Sequence, residues 1–255
     1  MTKGLEPLAK TKESRVNFHH LTPNFEKVQK WKKALPRIKN ELQRLEIARK
    51  VYVRWSEIID ANKELQKSVA HLFFEWVIQN YCVRLGMGIR RLVDKRSDEL
   101  NIYKLLEEIE GCVQCINVNS HIIQHNAEEK NSRTSKNGWH SPSQADYEKV
   151  YKRAIKEALG ARRKIFSSND VRKDKDRIQK IAKKPIERFV NETWAHLGKK
   201  KIIPPTIKQA HECLDVLISI YNKYALLLCE GKLHPLSDKM LFAEWDTLFK
   251  MPWKA

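Results

Sequence analysis

His196 is the residue whose type and setting are best suited to chemistry. It follows Arg188-Phe-Val-Asn191-Glu-Thr-Trp-Ala and comes just before Gly198 and a run of three lysines, so we expect it at the end of a helix among positive charges. Such surroundings favour a neutral imidazole, which can take up or release a proton near neutral pH. The alternative is a histidine that only packs against or caps the helix, as histidines near helix ends commonly do.

A second group of polar residues continues the apolar face of one predicted helix. From about 63 to 94, a set of apolar residues falls within roughly 100° on a helical wheel, which predicts a central helix with a core stripe. These residues are Val69, Phe73, Trp76, Val77 and Met87. Four polar residues occupy the same sector: Asn80, Arg84, Arg91 and Asp94. We therefore expect a buried or half-buried polar cluster, in which Arg91 and Asp94 form either a structural pair or part of a functional site.

The chain is strongly basic, and the charge is concentrated in one window. There are 49 Lys and Arg against 31 Asp and Glu, a net charge of +18, and residues 162–201 alone hold 14 basic and 5 acidic residues, a net +9. This surplus predicts binding to a polyanion, with RNA as the expected partner, while the alternative is a solvated helix face. The residues assigned to nucleic-acid binding are Arg84, Arg162, Arg163, Lys164, Lys183, Lys184, Lys199, Lys200 and Lys201.

Residues that could bind a metal cluster near the middle of the chain. Cys112 and Cys115 precede His121 and His125, and thiolate and imidazole are the usual zinc ligands. The interval between Cys115 and His121 is shorter than that of a zinc finger, so we predict no metal and no other cofactor, with zinc as the alternative. The five cysteines are few and odd in number, which favours free thiols in a reducing cytoplasm.

The composition predicts an all-α fold. Only 8 Gly and 9 Pro interrupt a chain rich in Leu, Ile, Lys, Arg and Glu, and there is no Gly-rich phosphate loop or other common catalytic motif. We expect a flexible basic arm over 1–23 and a single helical domain over 24–255, with a loop at 131–143. No apolar run approaches the ~18 residues of a membrane helix, and the start does not resemble a secretory signal, so we expect a cytoplasmic protein without membrane contact.

Two segments resemble HEPN domains of the AbiU (abortive infection) type. Asn191-x-x-x-Ala195-His196 resembles the signature Arg-Asn-x-x-x-Ala-His, although Val190 stands where that family has its arginine. The central helix with Arg91-Leu-Val-Asp94, followed by Leu-Asn-Ile-Tyr-Lys-Leu-Leu over 100–106, is similar to a helix and following segment of the same branch. The resemblance covers about residues 40–231.

The resemblance implies an antiparallel helical bundle, with additional N- and C-terminal helices here, that forms a homodimer and cuts RNA without a metal ion. His196 would then act as acid or base and Asn191 as the orienting amide. The cation that stabilises the phosphorane would be Arg188, Arg84 or Arg91, the last anchored by Asp94.

Such domains belong to antiphage or toxin–antitoxin systems, so the resemblance also implies a cognate antitoxin or another defence-system protein as a partner. Because Val190 replaces the family's arginine, the alternative is a catalytically inactive HEPN module that binds RNA or a partner protein.

Overall fold

The computed structural model describes residues 22–62, 71–116, 144–162, 165–191, 205–228 and 233, and within them the regular structure is helical throughout. The predicted all-α class is confirmed. The elements are α1 (Thr22–Ala61), α2 (His71–Val93), α3 (Ile102–Glu110), a 3-10 turn (Val113–Cys115), α4 (Gln144–Leu159), α5 (Ser168–Ile178) and α6 (Ile207–Leu227). Helix α5 continues as a π segment, Gln179–Glu187, and ends in one further α-helical turn, Arg188–Val190.

Some sequence predictions fall outside these residues or change in extent. The loop predicted at 131–143 lies outside the described residues, as does most of the arm assigned to 1–23. Helix α1 already begins at Thr22 and runs through Pro36 without a break. Pro36 is tolerated because it lies on the solvent side of the helix.

Helix α1 supplies one wall of the core. Its apolar residues recur every three or four positions, as one face of an α-helix requires, and they are almost completely buried. The residues are Val28, Trp31, Leu35, Ile38, Leu42 and Leu45. The matching stripes of α2, α3, the α5–π helix and α6 close the same core, so that the bundle has one continuous apolar interior.

Helix α2 faces the core with a different side from the one that we predicted. Of the predicted core stripe, Phe73 and Trp76 are 56% and 59% exposed, whereas Met87 does pack against the core. The buried side is formed by Tyr81, Leu85, Ile89 and Leu92. The predicted sector, including Asn80, Arg84 and Arg91, therefore faces solvent instead of forming a buried polar cluster. Gly88 lies at the edge of the buried side, where its lack of a side chain lets Leu45 of α1 approach closely.

We expect Gly88→Ala to destabilise the protein, because the overlap should cost about 1–3 kcal/mol. This cost exceeds the roughly 1 kcal/mol that alanine normally gains over glycine in a helix. A Cβ at position 88 would overlap Cδ2 of the buried Leu45. Urea unfolding measures the change, with Gly111→Ala as the control because its new Cβ would meet only atoms at 3.6 Å or beyond. If Gly88→Ala raised the free energy of unfolding, the helices would not be in contact here. Adding Leu45→Ala should relieve the overlap, giving non-additive effects.

The prediction of free thiols is wrong for one pair of cysteines. Cys112 and Cys115 form a disulfide, because the 3-10 turn between them brings their Cα atoms to 5.5 Å, within the range that the bond requires. Bonded to each other, these sulfurs are not available as thiolate ligands. Cys82 and Cys213 are free, whereas Cys229 lies outside the described residues.

The described residues contain no group of three or more His, Cys, Asp or Glu that is placed to hold a metal ion. His121 and His125 lie outside them. Within the same residues, no helix is both long enough and apolar enough to cross a bilayer.

Candidate functional site

The end of α2 and the π segment together form an open groove, which we call the basic groove. Its volume is about 570 Å³, and it is lined by Lys95, Arg96, Gln179, Lys183, Glu187, Arg188 and Asn191. Four of these side chains are cationic and one is anionic, which gives a formal charge of +3. A concave surface with this charge attracts anions. The groove joins Arg188 and Asn191, both predicted site residues, to the turn that directly follows Asp94.

The segment that lines the groove has π geometry and contains a proline. Pro185 has no backbone N–H and so donates no hydrogen bond to the turn before it. The Arg188 N–H reaches back five residues to the Lys183 carbonyl, as in a π turn. This wider turn lines the groove with residues four positions apart, namely Gln179, Lys183, Glu187 and Asn191. Isolated π turns are frequent at functional sites.

Lysines surround the Tyr103 ring beside the groove. Lys183 Nζ lies 4.1 Å and Lys95 Nζ 4.8 Å from the ring centroid. Burial lowers the pKa of Lys183, and the nearby Lys95 lowers it further, while Glu187 at 3.6 Å opposes this shift. The hydrogen bond to Tyr103 raises the pKa of Lys95. Lys183 is thus a largely buried cation held over an aromatic face at the wall of the groove, and its predicted part in nucleic-acid binding stays a prediction.

The predicted pairing of Arg91 with Asp94 is wrong. Arg91 lies on the solvent side of α2, where its Nη2 is 2.5 Å from Oε1 of Glu41 in α1. Asp94 instead pairs with Arg90, at 3.8 Å between Oδ2 and Nη2. Asp94 also lies close enough to the groove residue Glu187 to affect its ionisation. Burial raises the pKa of Glu187, and the negative charge of Asp94 raises it further. Sequence reasoning missed Arg90, although its four-residue spacing from Asp94 was a signal.

Asn191 carries a buried amide oxygen without a hydrogen-bond partner. Its Oδ1 accepts no hydrogen bond within the described part of the chain, and the Nε of Arg90, also buried, donates none there. Buried polar atoms are nearly always satisfied, so an unpaired one beside the groove is an exception that singles out Asn191. The predicted role of Asn191 as an orienting amide remains a prediction.

Val190, at the position of the family's arginine, belongs to the core. Its side chain is fully buried and lines a cavity of about 350 Å³ between α2, the π segment and the start of α6. The neighbouring walls are apolar and include Ile78, Leu85 and Ile186. Position 190 therefore contributes no cation, whereas the groove residues Arg188, Lys95 and Arg96 are cationic.

Asn101 fixes the turn that carries Lys95 and Arg96, a role that sequence reasoning did not identify. Its Nδ2 donates to the carbonyls of Arg91 at 3.1 Å and Asp94 at 2.7 Å. Its Oδ1 accepts from the Lys104 N–H and thereby caps α3. One buried side chain thus ties the end of α2 to the start of α3.

The remaining predicted residues are not part of the described groove. Arg84 and Arg162 are exposed on other surfaces, and only the helical backbone of Lys184 is described. The residues that lie outside the described ranges are Arg163, Lys164, His196, Lys199, Lys200 and Lys201. The structure therefore brings Arg188 and Asn191 together with Lys183, while the roles assigned to His196 and the lysine run stay predictions.

Comparison with known families gives a match that covers most of the chain. The family model HEPN_AbiU2, described as AbiU2, matches residues 29–240. Comparisons with curated proteins and with solved structures gave no significant match. The family model extends beyond both ends of the 40–231 range over which the sequence resemblance was drawn, and it includes every residue of the basic groove.

Proposed function

The chain belongs to the AbiU2 family of HEPN domains, which is associated with abortive infection defence, and from this membership we propose that it is an RNA-directed, metal-independent endoribonuclease. The observation that carries the proposal is the basic groove. In it, Arg188 and Asn191 of the signature segment meet Lys95 and Arg96 from the end of α2. A site of this charge and shape suits an RNA phosphate.

The proposed reaction is attack of a ribose 2′-oxygen on the adjacent phosphorus, which breaks the bond from phosphorus to the 5′-oxygen. His196 accepts the 2′-hydroxyl proton or donates one to the departing 5′-oxygen. Arg188, Lys95 and Arg96 neutralise the charge that develops on the phosphorane, replacing the arginine that the family places at position 190. Asn191 orients the phosphate or the histidine.

The partners follow from the same proposal. RNA is the substrate, a second copy of the chain forms a homodimer, and a cognate antitoxin or another protein of an antiphage or toxin–antitoxin system controls the activity. The second candidate function is a catalytically inactive HEPN module that binds RNA or a partner protein. The burial of Val190 in the apolar core favours this alternative, since a core residue has taken the place of the usual arginine.

Cleavage of labelled total RNA and tRNA in EDTA tests the proposal. We expect His196→Ala to lower the cleavage rate by at least about 100-fold and Arg188→Ala by roughly 100- to 1,000-fold, because each removes a group that acts in the transition state. Arg153→Ala, which removes an exposed arginine of α4 outside the groove, is the control and should cleave normally. If neither wild type nor His196→Ala cuts RNA, yet both bind it more weakly as salt rises, the protein is the catalytically inactive binding module and not a nuclease.

A further inference from the structure

The solvent side of α2 combines aromatic, amide and cationic side chains in one line, which we call the outer stripe. Phe73, Trp76, Asn80 and Arg84 follow one another within a narrow sector of the helix and are all exposed. Beyond Arg84 the same line reaches Arg91, one helical turn before Lys95 and the basic groove. The outer stripe thus leads along a single helix to the proposed catalytic site.

The two rings of the outer stripe are exposed yet held in place. Phe73 and Trp76 stack with their centroids 6.0 Å apart and their planes 25° from parallel. Phe74 contacts Phe73 and, at 5.7 Å, Trp55 of α1, so the pair is braced from the neighbouring helix. Single exposed apolar residues are common, but a braced, stacked aromatic pair in solvent is typical of a binding surface.

The polar end of the outer stripe carries an amide and a guanidinium, groups that bind a nucleic acid backbone. Asn80 donates from Nδ2 to the Trp76 carbonyl at 2.7 Å, which holds its amide beside the rings. Arg84 makes no ion pair within the described part of the chain, whereas Arg91 is bound to Glu41. At about 1.5 Å of rise per residue, Arg84 lies about 12 Å along the helix from Trp76, a distance that a short single strand can span.

We propose that the outer stripe binds single-stranded RNA, with bases stacked on Phe73 and Trp76 and a phosphate paired to Arg84. This inference rests on the proposed action on RNA and adds a site that leads the strand towards the basic groove. Aromatic faces interleaved with cations are the usual means of binding unpaired bases without sequence preference. An apolar protein partner would have to desolvate the Arg84 guanidinium without offering it a counter-charge, whereas a phosphate offers one. The net charge of +18 likewise favours a polyanion.

Fluorescence anisotropy with a labelled 2′-O-methyl oligouridylate, which the proposed reaction cannot cut, measured on the full chain at several salt concentrations, tests this inference. Phe73→Leu and Trp76→Leu keep apolar bulk but remove the ring, and each should weaken binding about fivefold or more at every salt concentration. Arg84→Gln should reduce the salt slope by about 0.7, the value for one phosphate contact on a single strand. Val150→Ala, which changes an apolar residue of α4 that is 53% exposed, is the control and should bind like wild type.

The outcomes separate this inference from the proposed function. If wild type binds RNA and both leucine variants bind equally well, the stacking site is overturned while the nuclease proposal stands on its own cleavage test. Sedimentation velocity covers the other occupants of this face. A change in oligomeric mass in Trp76→Leu, without a change in RNA affinity, would make the outer stripe a protein interface and likewise overturn the inference. If wild type binds no RNA, the proposed function fails first.

Discussion

Val190→Arg is expected to destabilise the protein strongly instead of restoring the family's signature. The side chain at this position is fully buried, and the surrounding cavity of about 350 Å³ is lined mainly by apolar groups from α2, the π segment and α6. A guanidinium placed there would lose its hydration without gaining a carboxylate or enough hydrogen-bond acceptors. We expect a loss of about 4 kcal/mol or more, which corresponds to a fall in Tm of about 10 °C.

Thermal and urea unfolding measure this change, and Val150→Arg is the matched control. Val150 is 53% exposed on α4, so the same substitution there should change stability by less than about 0.5 kcal/mol. A folded Val190→Arg protein with faster RNA cleavage would contradict the expectation. It would show that residue 190 can turn towards the basic groove and that the chain had lost only the arginine. Unfolding of the variant would instead show that the core itself has adapted to valine.

The sequence was sufficient for the fold class and the family, because both depend on features that extend over many residues. A low content of Gly and Pro and repeated apolar spacing predict helices wherever they pack. The direction of α2 could not be predicted in this way. A helical wheel gives the angle between Phe73 and Leu85 but not which of them faces α1, and aromatic residues were wrongly taken as the core side. Gly88 was the available signal, since a glycine inside a helix often marks a close contact.

The candidate site was predictable in part. Arg188 and Asn191 were identified from the signature segment, and Arg91 with Asp94 were assigned to the same predicted site. The structure brings the following turn, Lys95 and Arg96, into the groove in place of Arg91. This difference depends on the side of α2 that faces the core. The burial of Lys183 against Tyr103 depends in addition on the packing of α3 against the α5–π helix, which no local pattern contains.

Asn101→Ala is expected to lower stability by about 3 kcal/mol and to weaken RNA binding as well. The substitution removes the N-cap of α3, a loss of about 1 kcal/mol, and leaves two carbonyls at the end of α2 without their donor, a further 1–3 kcal/mol. Because Asn101 is only 5% exposed, water replaces these bonds poorly. The turn that carries Lys95 and Arg96 should then become mobile, so that two of the four cations of the basic groove are no longer fixed.

Urea unfolding and RNA anisotropy on the same variants distinguish this double role from simple capping. Thr206 is the N-cap of α6; it is exposed and makes no hydrogen bond to α2. Thr206→Ala should therefore lower stability by about 1 kcal/mol and bind RNA like wild type. Asn101→Asp keeps the capping oxygen but turns the donor into an acceptor facing two carbonyls. It should therefore be at least as unstable as Asn101→Ala, despite its good capping propensity. If Asn101→Asp were as stable as wild type, the cap alone would account for Asn101. The turn of the basic groove would then be held by Asp94 and its own backbone bonds.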